Sequence, residues 1–255
     1  MFKQKLKVVL LSFIPKEYIW ALQDIFSPKT FGQLGEDAVI ENHLEWLGLP
    51  ANEQGVYLDI GAYHPTKGSN SYRFYRRNSH GYAIDIGKRK EKIWKALRPR
   101  DTFINAAVVP NSWEKDHIEF FMGNSYGQAT DHVSGLGVGK DSAEGSTVKV
   151  KTLTANALSE FICKDPTWDK APWRFISIDI EGLDDEFVRD LDLAKLAPDV
   201  LAVEYFLPSH IPVWDKMSFL VNSCDVIKDI QKKGFVLQSI CGPTLIMVRT
   251  ASRKW

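Results

Sequence analysis

The chain has 255 residues, 44% of them hydrophobic and 25% charged, enough apolar material for one large α/β domain or two small ones. Its 32 basic and 32 acidic side chains cancel, so a general electrostatic attraction to nucleic acid is not implied and only a local basic patch would supply one. The three cysteines, Cys163, Cys224 and Cys241, are too scattered for a metal-type spacing and favour reduced thiols in a cytoplasmic protein.

At the N-terminus, Lys3, Lys5 and Lys7 lead into an apolar run at 8–14, interrupted by Ser12 and stopped by Pro15. The run is too short to span a bilayer, and no small-residue cleavage site follows it. It reads either as a helix docked on the domain or as an interfacial helix with its lysines against anionic lipid. Residues 1–30 are therefore assigned to an N-terminal helical extension, the one place where peripheral membrane contact is expected. Apolar side chains at Val39, Ile40, Leu44 and Leu47 then predict a helix over 36–47.

Residues 56–60 form the first predicted core strand, and 69–78 the following helix, with Ser69 as its cap. A second strand at 82–86, a basic helix at 88–97 and a third strand at 103–109 come next. Between 111 and 151 the character changes to a β-rich insertion: 117–122 and 147–151 have strand composition, while 123–146 reads as a long loop that could cover a site. Thr152 is the expected cap of a helix reaching Cys163. A fourth strand at 175–180, a helix at 184–191 with acids in its first turn, and a fifth strand at 200–205 follow. One long helix at 215–233 and a hairpin of 235–240 with 244–249 close the chain. Strands alternating with helices and ending in a hairpin suit a mostly parallel sheet with one antiparallel strand.

The most informative stretch is 55–65, Gly-Val-Tyr-Leu-Asp-Ile-Gly-Ala-Tyr-His-Pro, with Ser69-Asn70 beyond it. It reads as a buried strand ending in an acid, Asp59, and a tight turn through Gly61 and Ala62. A nicotinamide site would continue Gly-x-Gly-x-x-Gly into a helix. Here Tyr63 and Thr66 stand at the second and third glycine positions, and Pro65 keeps the chain extended or turned. An acid at this strand end can instead meet the cationic amino group of a ligand such as S-adenosylmethionine, which has no phosphates to cradle.

Asp59, Asp85 and Asp179 all fall at or next to the ends of predicted parallel strands, so they should line one edge of the sheet. Asp85, at the second strand's end, is placed to accept bonds from both ribose hydroxyls. Asn105 on the third strand would flank the adenine. Strand alternation would point Asp179 and Glu181 the same way, toward the reacting methyl. A magnesium site from Asp179, Glu181 and Glu204 is conceivable, but no further ligand has diagnostic spacing, so no metal is expected. His64 could serve as base toward an acceptor hydroxyl, or be a turn residue. Asp179, Glu181 and Glu204 complete the catalytic candidates, and His210 lies just past the fifth strand.

Four segments taken together, Phe31-Gly32-Gln33-Leu34-Gly35-Glu36-Asp37, the Asp59-Ile60-Gly61-Ala62 turn with Ser69-Asn70, Asp179-Ile180-Glu181-Gly182 and the strand at 200–204, resemble in order and spacing the FkbM-type family of S-adenosylmethionine-dependent methyltransferases. The resemblance runs from Phe31 to Arg249. Gly32 stands where the family commonly has serine, and Asp85-Ile86-Gly87 where Glu-Pro-Asn is more usual. It implies a class I methyltransferase Rossmann-like fold over 31–255 and O-methylation of a hydroxyl on a sugar, glycan or other small molecule. Gln33, Glu36 and Asn70 follow the family motifs as cofactor-binding residues; helix capping and turn bonding are their alternative roles. The competing readings are a nicotinamide-dependent oxidoreductase and a non-catalytic module binding an adenosyl ligand or a glycan.

Overall fold

A computed structural model of the chain describes residues 30–49, 53–123, 132–133, 145–180, 182–212 and 215–250. In chain order these form helix α1 (Glu36–Trp46), strand β1 (Val56–Ile60), the single turn α2 (Tyr72–Tyr75), β2 (His80–Asp85), α3 (Lys88–Leu97), β3 (Thr102–Asn105) and β4 (Ala107–Val109). Then come β5 (His117–Gly123), β6 (His132–Val133), β7 (Gly145–Thr154), α4 (Ala155–Ile162), α5 (Pro166–Lys170), β8 (Arg174–Ile178), α6 (Asp184–Asp190), α7 (Leu193–Leu196) and β9 (Val200–Glu204). Helices α8 (Lys216–Asn222) and α9 (Asp225–Lys232) precede the hairpin of β10 (Phe235–Cys241) and β11 (Thr244–Arg249).

The main sheet has seven strands in the order β10-β11-β9-β8-β1-β2-β3. All neighbours pair parallel except β11, which runs antiparallel to both β9 and β10. The fold is thus α/β and Rossmann-like, with a mostly parallel sheet. β1 and β8 are wholly buried along their length, as a strand covered by helices on both faces must be. On one face Leu58, Ile60, Ile176, Ile178, Leu201 and Val203 pack against α4, α6, α7 and α9. On the other, Tyr57, Phe175, Val200 and Ala202 meet Ile40 and Leu44 of α1 and Phe74 of α2. Trp94 of α3 covers Ala83 next to them.

A smaller sheet, β4-β7-β5-β6, stands beside the first. Its core of Ala107, Val109, Ile118 and Val150 includes Ile86, just past β2, and packs Leu183, which precedes α6 in the loop after β8. The small sheet therefore flanks the carboxyl edge of the large one.

Several local expectations are corrected. The strand expected over 103–109 is two: the chain kinks at Ala106, whose N–H turns back to the Ile104 carbonyl, and β4 leaves for the small sheet to pair with β7. The helix after β1 begins at Tyr72, not Ser69, and Ser71 precedes it without a side-chain cap. Thr154 rather than Thr152 caps α4, accepting from the Ala157 N–H. The single helix expected over 215–233 is broken at Ser223-Cys224, where both N–H groups return to the Phe219 carbonyl. Within the expected loop, His132–Val133 pairs with β5. The rest of that loop, residues 124–131 and 134–144, lies outside the described residues, as do Glu181 and the lysine-flanked N-terminal run. Among the described residues no helix is long and apolar enough to cross a membrane.

Candidate functional site

Strand order reverses between β1 and β8, the place where an open α/β sheet leaves a crevice for a ligand. The two strand ends are pressed together there. The Asp179 N–H bonds the Ile60 carbonyl at 3.0 Å, and the N–H groups of Gly61 and Ala62 both bond the Ile84 carbonyl, at 2.9 and 3.0 Å. Gly61 has φ +76°, and a Cβ on it would lie 1.6 Å from the Asp179 carbonyl oxygen. Only glycine permits this approach. The turn thus sets Asp179 beside the end of β1, with Asp85 on the far side.

Asp59 shares the Tyr57 face of β1 and is 5% exposed. The Ser71 hydroxyl donates to its Oδ2. Burial pushes the carboxyl up to about 6; the Ser71 bond and the Arg98 charge pull it back, while Asp101 and Asp85 add to the rise. Asp85 ends β2 as expected, but its carboxylate is already engaged. Lys90 of α3 lies 3.0 Å from each oxygen, the Tyr63 N–H donates at 2.7 Å and the Ile86 N–H at 2.5 Å. Burial still holds Asp85 above the usual carboxylate range, against the pull of Lys90. A ribose diol would have to take over the contacts that Lys90 makes. Asn105, opposite Asp85 in register, accepts from the Gly87 N–H at 2.9 Å and so braces the turn into α3.

The Gly-Glu-Asp segment builds the start of α1. Asp37, with no exposed surface, accepts from the N–H groups of Phe31 and Gly32 at 2.9 and 3.2 Å and from the Thr30 hydroxyl. Glu36 accepts from the Leu34 N–H at 2.9 Å, and Gln33 is exposed. Asn70 reaches the switch point itself, donating to Ser177 of β8 at 3.0 Å. A Cβ on Gly32 would lie 2.5 Å from Glu36 Oε2 and 2.9 Å from Asn70 Oδ1, which brings this segment against the turn after β1.

His64 is placed differently from a base. Its Nδ1 accepts from the N–H groups of Thr66 and Lys67 at 3.1 and 3.2 Å, so the neutral ring carries its hydrogen on Nε2. Partial burial, reinforced by Lys67, lowers its pKa. The geometry is that of a turn residue, since the lone pair a base needs is already bonded. Asp179 lies one residue past β8, and Glu204 ends β9 opposite Thr244. His43 of α1 is buried, with its Nε2 2.8 Å from the Ser239 hydroxyl. His210 is exposed.

Two residues that sequence reasoning missed organise the edge. Asp184 accepts from the N–H groups of Ile180 and Gly182 at 2.8 and 3.2 Å, and so shapes the loop after β8. Burial, with Glu204 nearby, pushes it up to about 6. Its spacing after Gly182 is the only sequence signal. Arg98, without exposed surface, ties the 65–71 turn together: it donates to the Pro65 carbonyl, to Ser69 and Ser71, to the Tyr57 hydroxyl and to Asp101. Among the described residues no three His, Cys, Asp or Glu side chains converge as metal ligands.

No family model, curated protein or solved structure matches the chain. The chemistry is therefore read from the edge itself: carboxylates, a tight glycine turn, and no helix directly after β1.

Proposed function

We propose that the chain is an S-adenosylmethionine-dependent O-methyltransferase of FkbM type, acting on a hydroxyl of a sugar, glycan or other small molecule. The observation that carries this reading is the sheet order, in which antiparallel β11 sits between β9 and β10. A last strand inserted antiparallel inside the edge is what a class I methyltransferase sheet calls for, and it supports this reading, whereas the dinucleotide order 3-2-1-4-5-6 keeps its last strand outermost. The donor set supports it too. A nicotinamide pyrophosphate rests on a helix that opens from the first turn; here the first helix after β1 starts only at Tyr72 and is one turn long. Carboxylates fit the ammonium, the sulfonium and the ribose diol of S-adenosylmethionine.

When bound, that cofactor supplies an electrophilic methyl group. Asp59 would hold its cationic amino end, and Asp85 would accept from the ribose hydroxyls in exchange for the contacts it makes to Lys90. Gly61 and Ala62 offer a side-chain-poor floor between them. Asp179 and Glu204, on the neighbouring strand ends, line the acceptor side, and alignment of the acceptor oxygen is the protein's main contribution. The proton leaving that oxygen would go to one of these carboxylates, since the His64 Nδ1 lone pair already takes the N–H groups of Thr66 and Lys67.

Calorimetric titration with S-adenosylmethionine and, separately, with NAD tests the reading. Binding of the first and not the second is expected, with Asp85→Ala weakening it by roughly 1–3 kcal/mol. Binding of NAD alone would replace the reading with an oxidoreductase.

A further inference from the structure

We propose that Ser71, backed by Arg98, is a positioning residue that keeps the Asp59 carboxylate ionised and so sets the pH range over which the protein takes up its adenosyl ligand. The proposal rests on the ligand reading above.

Ser71 has no exposed surface. Its hydroxyl can donate one hydrogen and accept with two lone pairs. Arg98, a donor only, approaches the Ser71 oxygen at 2.9 Å, so that oxygen must accept there. The second neighbour, Ser69, lies 3.3 Å away and can donate to Ser71, whereas an ionised Asp59 can only accept. The single hydrogen of Ser71 is thereby aimed at Asp59. Polarity runs one way, from guanidinium through hydroxyl to carboxylate. A protonated Asp59 would still offer one oxygen to Ser71 but would lose the charge-assisted bond.

The other charged groups around Asp59 are accounted for. Asp101, after α3, is held by Arg98 at 2.6 Å and by the Tyr57 hydroxyl at 2.7 Å. Asp85 of β2 is held by Lys90 of α3. β8 brings Ser177 beside Asp59 in register, already bonded by Asn70. The start of α1 brings Glu36 and Asp37 around Gly32 and Asn70, next in sequence to Ser71. Asp101 and Asp85 each have a cation, Arg73 lies 3.8 Å from Asp37, Glu36 takes the Leu34 N–H, and Ser71 makes the direct hydrogen bond to Asp59. Burial holds the Asp59 carboxyl near 6, so the Ser71 contact acts where a change in protonation is felt near neutral pH.

The test measures S-adenosylmethionine binding by calorimetry from pH 5 to 7.5 in the wild type and in Ser71→Ala, with a melting curve at each pH. A second readout follows the carbon-13 carboxyl shift of Asp59 in the ligand-free proteins. The acid-side midpoint of binding and the Asp59 titration should both move up by about half a pH unit or more, with affinity at pH 7.5 within about threefold of wild type. An unmoved titration overturns the proposal, as does a uniform loss of affinity at every pH. If the wild type binds no S-adenosylmethionine at any pH while the Asp59 titration still moves, the ligand reading has failed and the Ser71 contact has not. Should Ser71→Ala melt below the working temperature, Ser71→Cys, a weaker donor of similar size, is read the same way.

Discussion

Lys90 lays its ammonium 3.0 Å from both carboxylate oxygens of Asp85, so the acid that ends β2 carries its own cation. Both side chains are nearly buried, at 9% and 10% exposure, which takes the pair out of the class of surface ion pairs worth little. Removing one partner of such a pair strands the other. Lys90→Met is expected to lose about 3–5 kcal/mol of stability in urea denaturation at neutral pH. Adding Asp85→Asn to that variant should recover most of the loss. A single-variant loss below about 1 kcal/mol would mean that water screens the pair.

His64 separates two roles cleanly. Its Nδ1 takes the N–H groups of Thr66 and Lys67, a job that an asparagine side-chain oxygen can also do. His64→Asn should therefore keep methyl transfer within about threefold of wild type, and His64→Ala should lose stability by about 1 kcal/mol through the emptied turn. A hundredfold loss of turnover in a folded His64→Asn protein, with cofactor affinity intact, would restore the histidine as base. Glu204→Gln and Asp179→Asn are then the contrasting variants.

The core strands were legible because buried parallel strands are short, nearly continuous apolar runs, as in Phe175-Ile176-Ser177-Ile178 and Val200-Leu201-Ala202-Val203. Their acid ends were legible for the same reason, an acid closing an apolar run. What each acid does was not. Asp85 is answered by Lys90, Asp59 by Ser71, and Asp37 by the N–H groups before α1, and each answer depends on how the turns fold back. Arg98 was invisible because most of its partners come from residues 57–71, far from it in sequence. The break between α8 and α9 escaped because apolar periodicity continues across it; only the returning N–H groups of Ser223 and Cys224 mark it.

Asp59 also gives stability a pH dependence. Its carboxyl is near 6 in the folded protein against an ordinary 3.8, so the folded state holds the proton more tightly. That contribution is fully present below 3.8 and is lost as pH rises through about 6. Above it, the buried carboxylate costs on the order of 2–3 kcal/mol. Asp59→Asn removes this cost while keeping an acceptor for Ser71. Relative to wild type, the variant should gain stability between pH 4 and pH 8, read from urea midpoints at both ends. Asp184, also near 6, remains in both proteins and cancels in the difference. A difference that stays flat with pH would show that Asp59 titrates normally.

Two glycines at the carboxyl edge give the sharpest contrast. Both have positive φ, +76° at Gly61 and +96° at Gly182. Around Gly182 nothing lies within 4 Å of an added Cβ, so Gly182→Ala adds backbone strain alone, about 1–2 kcal/mol. At Gly61 the same methyl group meets the Asp179 carbonyl oxygen at 1.6 Å and the Asp179 carbonyl carbon at 2.6 Å, both backbone atoms just past β8. Neither is a flexible side chain that can swing away. Gly61→Ala must therefore part the two central strands, at a cost of about 3 kcal/mol or more. Denaturation of the two variants side by side measures the difference directly. It should come with loss of S-adenosylmethionine binding in Gly61→Ala and not in Gly182→Ala, because only the first moves the strand end that carries Asp59. Equal destabilisation of the two would mean that β1 and β8 are not packed as closely at the switch point as their hydrogen bonds indicate.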